Sequence, residues 1–348
     1  MSSLVLGISI GDPNGIGPEV VLKTFSDSRM FDFCTPIVYA RADFLESQNK
    51  HFGLKVPIKP LKDRPQRRAL NVVSCWKNCP QVEYGKENKS AGVYALESLT
   101  AATQSLKKGT IQALVTAPIN KASIQSNHFA FPGHTDYLAQ ELGGNALMFM
   151  IHNQLRVGLL TDHVPISEVT KMLTTEHIVD KLKLMSQSLQ QDFGIRKPKI
   201  AVLGINPHAG DHGVIGSEDD QILAPILSAE QIENTLLFGP FSADAFFGSQ
   251  EFLKYDAVLA AYHDQGLIPF KTLSFGEGVN YTAGLSAVRT SPDHGTAFAI
   301  AGKGIADHHS FRQAVFAALD ILGKRQEFHQ INANPLPLSD NKKSRKRD

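Results

Sequence analysis

Short apolar runs alternate with helical periods along most of the chain. That alternation is the signature of a layered α/β protein. Leu4 to Ile10 predicts a buried strand. The turn Gly11-Asp12-Pro13-Asn14-Gly15-Ile16-Gly17-Pro18 ends it, and Glu19 onward reads as helix. Ser90 predicts a helix cap, with Val93, Leu96 and Leu99 on one stripe and a stop at Gly109. Ile111 to Thr116 then reads as a strand. Ile178, Leu182, Met185 and Leu189 keep helical spacing as far as Gly194. Ser310 predicts the cap of a last helix, with Phe311, Ala314, Val315, Ala318, Leu319 and Leu322 inward and Gly323 at its end.

The polar residues fall in a telling place. Five apolar strands run into short loops loaded with functional groups. Leu4–Ile10 leads into Gly11-Asp12, and Ile111–Thr116 into Ala117-Pro118-Ile119-Asn120-Lys121. Leu155–Leu160 leads into Thr161-Asp162-His163, Lys199–Ile205 into Asn206-Pro207-His208, and Asp256–Ala261 into Tyr262-His263-Asp264. In open α/β sheets, ligands bind beyond the carboxyl ends of strands. The pattern predicts one site assembled from separate loops.

Size and composition narrow the class. The 348 residues suit two domains or one large α/β unit, and 42% apolar with 20% charged residues excludes a disordered or collagen-like chain. No apolar run is long enough to span a membrane, and the first twelve residues lack a secretory pattern. The net charge of +1 is unevenly spread: the last nine residues hold five Lys/Arg and two Asp, so the body carries −2. The basic segment from Lys342 to Arg347 invites nucleic acid, but a frayed, solubilising terminus is the better reading, and no nucleic-acid partner is expected. Three cysteines make no disulfide framework and fit a cytoplasmic protein. Cys75 and Cys79 lack a second pair to complete a zinc site.

Three histidines, His163, His208 and His263, stand just past strand ends. Three imidazoles with an open position make a catalytic divalent-metal site; a hydrogen-bonded structural histidine is the ordinary alternative for each alone. Asp244 and Asp264 are candidates for direct or supporting contacts. Lys271, Asn280 and Arg289, in glycine-rich surroundings, suit a phosphorylated anion, against the plain reading of a solvated surface. His134 and Thr135 open an expected helix, whose N-terminus can seat a phosphate. The turn at Gly11 has neither the dinucleotide fingerprint nor a P-loop lysine.

Taken together, the segments GDPNGIGPE, TAPINK, PGHTD, TDHVP, NPHAGDHG, YHDQGLIPFK, GVNYTAGL and RTSPDHGTA resemble the PdxA family of 4-hydroxythreonine-4-phosphate dehydrogenases. The likeness spans nearly the whole folded chain. More broadly the chain resembles isocitrate and isopropylmalate dehydrogenases, which share the early glycine-rich turn and a late loop like His294 to Ala306. The resemblance implies an α/β/α sandwich with two subdomains and the active site in the cleft. Residues 1–123 with 265–330 would form the first subdomain, 124–264 the second, and 331–348 a disordered basic tail. It implies that His163, His208 and His263 hold one divalent metal (Zn, Mg, Mn or Co). It implies that His134, Thr135, Lys271, Asn280 and Arg289 bind the phosphorylated substrate. His294, Gly295, Thr296 and Gly302 would contact the nicotinamide cofactor. Ala297-Phe298 stands where the broader relatives carry Pro-Asp, which leaves NAD and NADP both open.

The implied reaction oxidises the secondary alcohol of 4-phosphooxy-threonine and releases CO₂, giving 3-amino-2-oxopropyl phosphate. Asp244, Asp264 and Lys121 are candidate proton acceptors. The implied assembly is a homodimer with shared active sites, His163 and His208 coming from one chain and His263 from its partner. Two other readings compete: a dehydrogenase of 4-phosphorylated threonate or erythronate, and a non-catalytic phosphometabolite sensor.

Overall fold

A computed structural model of the chain describes residues 4–125, 131, 133–229 and 232–334. The apolar runs become twelve strands: β1 (Leu4–Ser9), β2 (Cys34–Ala40), β3 (Ile58–Pro60), β4 (Leu70–Ser74), β5 (Ala113–Thr116), β6 (Leu147–His152), β7 (Leu155–Leu159), β8 (Lys199–Leu203), β9 (Leu236–Phe241), β10 (Ala257–Ala260), β11 (Val279–Ala283) and β12 (Val288–Pro292). They form one sheet in the order β3-β4-β2-β1-β5-β12-β11-β6-β7-β10-β8-β9. The outer strands on each side pair in parallel, as buried apolar runs with helical crossovers require. In the middle, β11 is antiparallel to both β12 and β6, and β6 is antiparallel to β7.

That centre decides where the strand-end loops meet. The two parallel sets run in opposite senses. Their loops therefore meet over the face of the central strands rather than along one edge. Helices cover both faces. One face carries a continuous core that includes Val20, Phe44, Phe149, Leu182, Tyr281 and Phe311. The other carries two separate cores, one around Leu99, Leu114 and Leu138, the second around Met150, Leu203, Leu267 and Phe270. The gap between these two cores is where a cleft can open.

Two helices depart from their sequence reading. Helix Lys89–Lys107 is capped by Asn88, whose Oδ1 accepts from the Ser90 backbone N–H at 2.8 Å. Its inward face is Ala91, Gly92, Ala95, Ser98 and Leu99, while Val93 is 54% exposed. Close approach explains this: a Cβ on Gly92 would run into the Ser123 carbonyl, so small residues must face that contact. The last helix, His309–Asn332, runs straight through Gly323. Ser310 does not cap it; its hydroxyl donates to the Gly278 carbonyl at 2.7 Å and accepts from the Asp293 N–H at 3.1 Å. The tail from residue 335 onward lies outside the described residues. Among the described residues, no helix is long and apolar enough to cross a membrane.

The turn after β1 buries a carboxyl group. Asp12 is fully buried; one oxygen accepts from the Asn14 N–H at 2.9 Å, and Oδ2 has no partner. Burial, aided by the charge of Glu87 and opposed by the Asn14 bond, pushes its pKa up to about 6. A raised carboxyl stabilises the fold below its unfolded value, and that contribution is lost as pH rises through about 6. Asp12→Asn is therefore expected to gain stability over the native chain at pH 8 by up to about 3 kcal/mol more than at pH 4. Denaturant melts of both proteins at the two pH values check this; an equal difference at both would refute it.

Candidate active site

A cavity of about 240 Å³ lies in the gap between the two cores. Its floor is the face of the central strands, with Met148 and Met150 from β6, Asn280 from β11 and Arg289 from β12. The loop after β5 supplies Pro118, Ile119 and Lys121, and the loops after β7 and β10 supply His163 and His263. Helix His134–Leu142 presents His134, Thr135 and Asp136 from its first turn.

The chemistry begins with Arg289, which is 1% exposed and has no carboxylate partner among the described residues. Its Nε and Nη2 donate to Thr116 Oγ1 at 3.2 and 2.6 Å, and Nη1 donates to Thr282 Oγ1 at 3.0 Å. Burial pulls its pKa down to about 9. A buried guanidinium held only by hydroxyls is costly to keep and calls for an anion. His134 stands beside it. Burial first, then the charges of Arg289 and Lys121, holds its imidazole well below its ordinary value, so it is neutral. Its Nε2 is buried without a partner, as is Asn280 Oδ1. Lys271 donates to the Asp293 carbonyl at 3.2 Å, and Lys121 has no ion pair among the described residues. All five expected substrate residues, His134, Thr135, Lys271, Asn280 and Arg289, line this one cavity. Their setting differs from the expected glycine-rich loops: Lys271 is on helix His263–Ser274, and Asn280 and Arg289 are on strands.

Two of the three expected metal histidines meet. The rings of His163 and His263 lie 5.9 Å apart between centroids. His263 Nδ1 is 2.7 Å from Asp264 Oδ1, an arrangement that leaves Nε2 free. Burial, then the charge of Lys121, lowers the His163 pKa, which favours the neutral imidazole that ligation needs. This donor set fits a divalent cation. His208 does not line the cavity. It sits in the turn Pro207–Gly210, beyond β8, near Asp244. That turn is pinned by the Asp219 carboxylate, which accepts from the N–H groups of Ile205 and Asn206 at 2.6 and 3.0 Å. His208, Ala209, Asp211 and His212 all hold positive φ, a concentration of strain typical of functional loops. In this chain His163 lies beside His263, while His208 does not line the cavity.

Among the described residues, only Asp307, His308 and His309 bring three ligand-type atoms within 4.8 Å of one another. They open the last helix, next to the charges of Lys23 and Arg312. The positive helix end and those cations oppose a metal there. Asp307 instead accepts from the His309 N–H at 2.8 Å, just before the helix begins.

His294 and Gly295 line the cavity, and His294 Nε2 is buried without a partner. Thr296 and Gly302 do not line it. The Thr296 carbonyl accepts from the Ile16 N–H at 3.0 Å, and Gly302, at φ +75°, packs on Tyr84 where a side chain would not fit. Those two shape the loop, and the unsatisfied His294 with the open space at Gly295 fits a polar cofactor group. Of the three proton-acceptor candidates, Lys121 alone is on the cavity wall. Asp264 holds His263, and Asp244 is bonded to Ser242 Oγ at 2.6 Å near His208. Thr116, Thr282 and Asp293 were not singled out in the sequence. A threonine at the end of a strand carries no signal of its own until the arginine it holds is known.

Comparison with known proteins gives consistent findings. The family described as "Pyridoxal phosphate biosynthetic protein PdxA" matches residues 32–318. The chain is 45% identical over 335 residues to a 4-hydroxythreonine-4-phosphate dehydrogenase from Bacteroides thetaiotaomicron, covering 95% of this chain and 92% of the relative. Among solved structures, it is similar to the enzyme of that name from Klebsiella pneumoniae (TM-score 0.81, 31% identity, 92% of this chain and 98% of the other). The crystal structure of that name from Burkholderia phymatum gives a TM-score of 0.76 at 33% identity, over 92% of this chain and 99% of the other.

Proposed function

The chain belongs to the PdxA family, and on that premise we propose that it oxidises the secondary alcohol of 4-hydroxythreonine 4-phosphate, with loss of CO₂, in pyridoxal phosphate biosynthesis. It is an oxidoreductase. The observation that carries the substrate reading is Arg289, buried with no carboxylate partner among the described residues, in a cavity shared with Lys121 and Lys271. Such a cavity suits a multiply charged anion. His134 stays neutral beside the guanidinium and offers a hydrogen bond without adding charge. The N-terminus of its helix adds a positive pole.

A divalent metal held by His163 and His263 would supply Lewis acidity toward the alcohol and ketone oxygens, and NAD or NADP beside His294 and Gly295 would accept hydride. The residues around them do the positioning. Asp264 fixes the His263 tautomer. Arg289, Lys271 and Asn280 grip the substrate away from the reacting carbon and orient it. Lys121, on the cavity wall, is assigned as the acceptor of the alcohol proton. Lys121→Arg puts in its place a guanidinium, which does not act as a base. It is expected to lower kcat about a hundredfold, on the usual scale of acid–base catalysis, with little change in KM. An equal change in KM would make Lys121 a binding residue instead.

The third metal ligand is assigned to His208 of the partner subunit. β9 is an edge strand on which Leu236 and Phe238 are each 36% exposed, and Val214, near His208 in sequence, is 80% exposed. An apolar edge next to a strained histidine loop supports a homodimer that shares its active sites. The cleft between the proposed subdomains then closes with the partner's help.

Comparing kcat/KM on 4-hydroxythreonine 4-phosphate and on 4-phosphorylated threonate tests the substrate assignment. A clear preference for the amine is expected, and equality or reversal would overturn it. Lys271→Ala and Arg289→Ala should each lower kcat/KM about ten- to hundredfold, the range for a charge-assisted hydrogen bond. The loss should shrink with a substrate lacking the phosphate; equal losses on both would place these residues elsewhere.

A further inference from the structure

The central strands have two faces, and the second carries a cavity of its own. Its volume is about 220 Å³. Met150 and Asn280 face the active site, while their neighbours Ile151 and Val279 form the buried floor of this second cavity with Ile321 of the last helix. Phe193 and Phe316 add apolar walls.

Three charged groups sit on this apolar frame. Arg156 lies over the Phe193 ring, 4.7 Å from its centroid. Its Nη1 donates to the carbonyls of Gln154 and Asp256, each at 3.2 Å. Its Nε is buried and has no partner. Arg156 feels the charges of Asp256 and Asp320 but forms no ion pair with either among the described residues. Asp320 and Glu277 line the exposed rim, with Glu277 3.6 Å from His152.

We infer that this cavity binds an apolar α-amino acid as its zwitterion, with the carboxylate on Arg156, the ammonium group toward Asp320 and Glu277, and the side chain between Phe193 and Phe316. The charges account for both ends of the ligand. A carboxylate would pair with the Arg156 guanidinium, which lines the cavity and has no carboxylate partner among the described residues. An ammonium group answers the rim carboxylates. A simple anion would leave the acids facing it, and a simple amine would leave Arg156 unmatched. The volume suits a small ligand rather than a nucleotide.

The location gives such a ligand leverage on the active site. Glu277 belongs to the turn between Ser274 and Val279, where Phe275 and Gly276 hold positive φ. That turn joins the helix bearing His263 and Lys271 to the strand bearing Asn280. A ligand gripping Glu277 and resting on Val279 biases the spacing of Lys271 and Asn280. This regulatory consequence rests on the proposed function; the binding does not.

The test is direct binding to the full chain. Twenty L-amino acids at millimolar concentration are screened by thermal shift, and the strongest apolar one is titrated by calorimetry. Binding is expected for an apolar member and not for the matching amine or deaminated acid. Ala317→Phe, which fills the cavity from the last helix, should abolish it, and Glu277→Gln should weaken it about tenfold. Arg289→Ala, on the opposite face, should leave it unchanged. Binding lost in Arg289→Ala but kept in Ala317→Phe would mean capture by the active site and would overturn the proposal. So would the absence of any stabilising apolar amino acid.

Discussion

His263→Ala is expected to lose all measurable turnover while keeping the fold. The ring stands at the first residue of its helix, with 38% of the side chain exposed, so truncation opens no core cavity. Its bond to Asp264 is a surface bond and contributes little stability. What it offers is an Nε2 left free by the Asp264 bond, on a ring 5.9 Å from that of His163. Losing one of the three proposed ligands would remove most of the metal affinity and with it the acidity the alcohol needs. Metal content by elemental analysis should fall together with activity, and the melting temperature should not. Asp264→Asn is the graded companion. It disturbs the ring's tautomer without removing the ligand, and should cost about ten- to a hundredfold in activity or metal affinity. Full activity in His263→Ala, or in native protein shown to hold no divalent metal, would sink the assignment.

The parts legible in the sequence were those set by local chemistry. Leu4–Ser9 and Ala113–Thr116 read as strands because unbroken apolar runs can be satisfied only inside a covered sheet. Arg289, Lys271 and Asn280 stood out as candidates for an anion. Their supports did not, because the local signals point the wrong way. Helix His263–Ser274 contains Gly266 and Pro269, which read as breakers. Tertiary packing demands the glycine: a Cβ there would come within 2.9 Å of Ala260 and Val157. The reversal of β11 was hidden for a different reason. Val279–Ala283 looks like any buried strand, and no residue in it states direction. Direction follows from what lies on either side, and with it the turning of two parallel sets toward one face. His208 shows the limit most clearly. It shares the strand-end signature of His163 and His263, yet it sits in a turn after β8 and does not line their cavity. A shared strand-end signature does not by itself say that residues meet in one chain.

That separation gives the last expected result, recovery of activity from two dead proteins. If each site takes His163 and His263 from one chain and His208 from its partner, the three alanine variants fall into two groups. Mixing His208→Ala with His263→Ala, after dissociation and reassociation, gives heterodimers with one intact site. That site uses both histidines of the first chain and His208 of the second. The other site lacks two ligands. Random pairing makes half the dimers heterodimers, and half their sites work, so about a quarter of native activity should return. Mixing His208→Ala with His163→Ala should do the same. Mixing His163→Ala with His263→Ala should return nothing, because every site then carries a damaged pair. This third mixture separates the proposed arrangement from the one with His163 and His208 on one chain. With His163 and His208 on one chain and His263 across the interface, it would recover a quarter as well. With all three ligands in one chain, no mixture would recover. Subunit exchange verified by mass labelling, together with activity in the first two mixtures and none in the third, is the pattern expected if His163 and His263, whose rings lie 5.9 Å apart, serve one proposed site together.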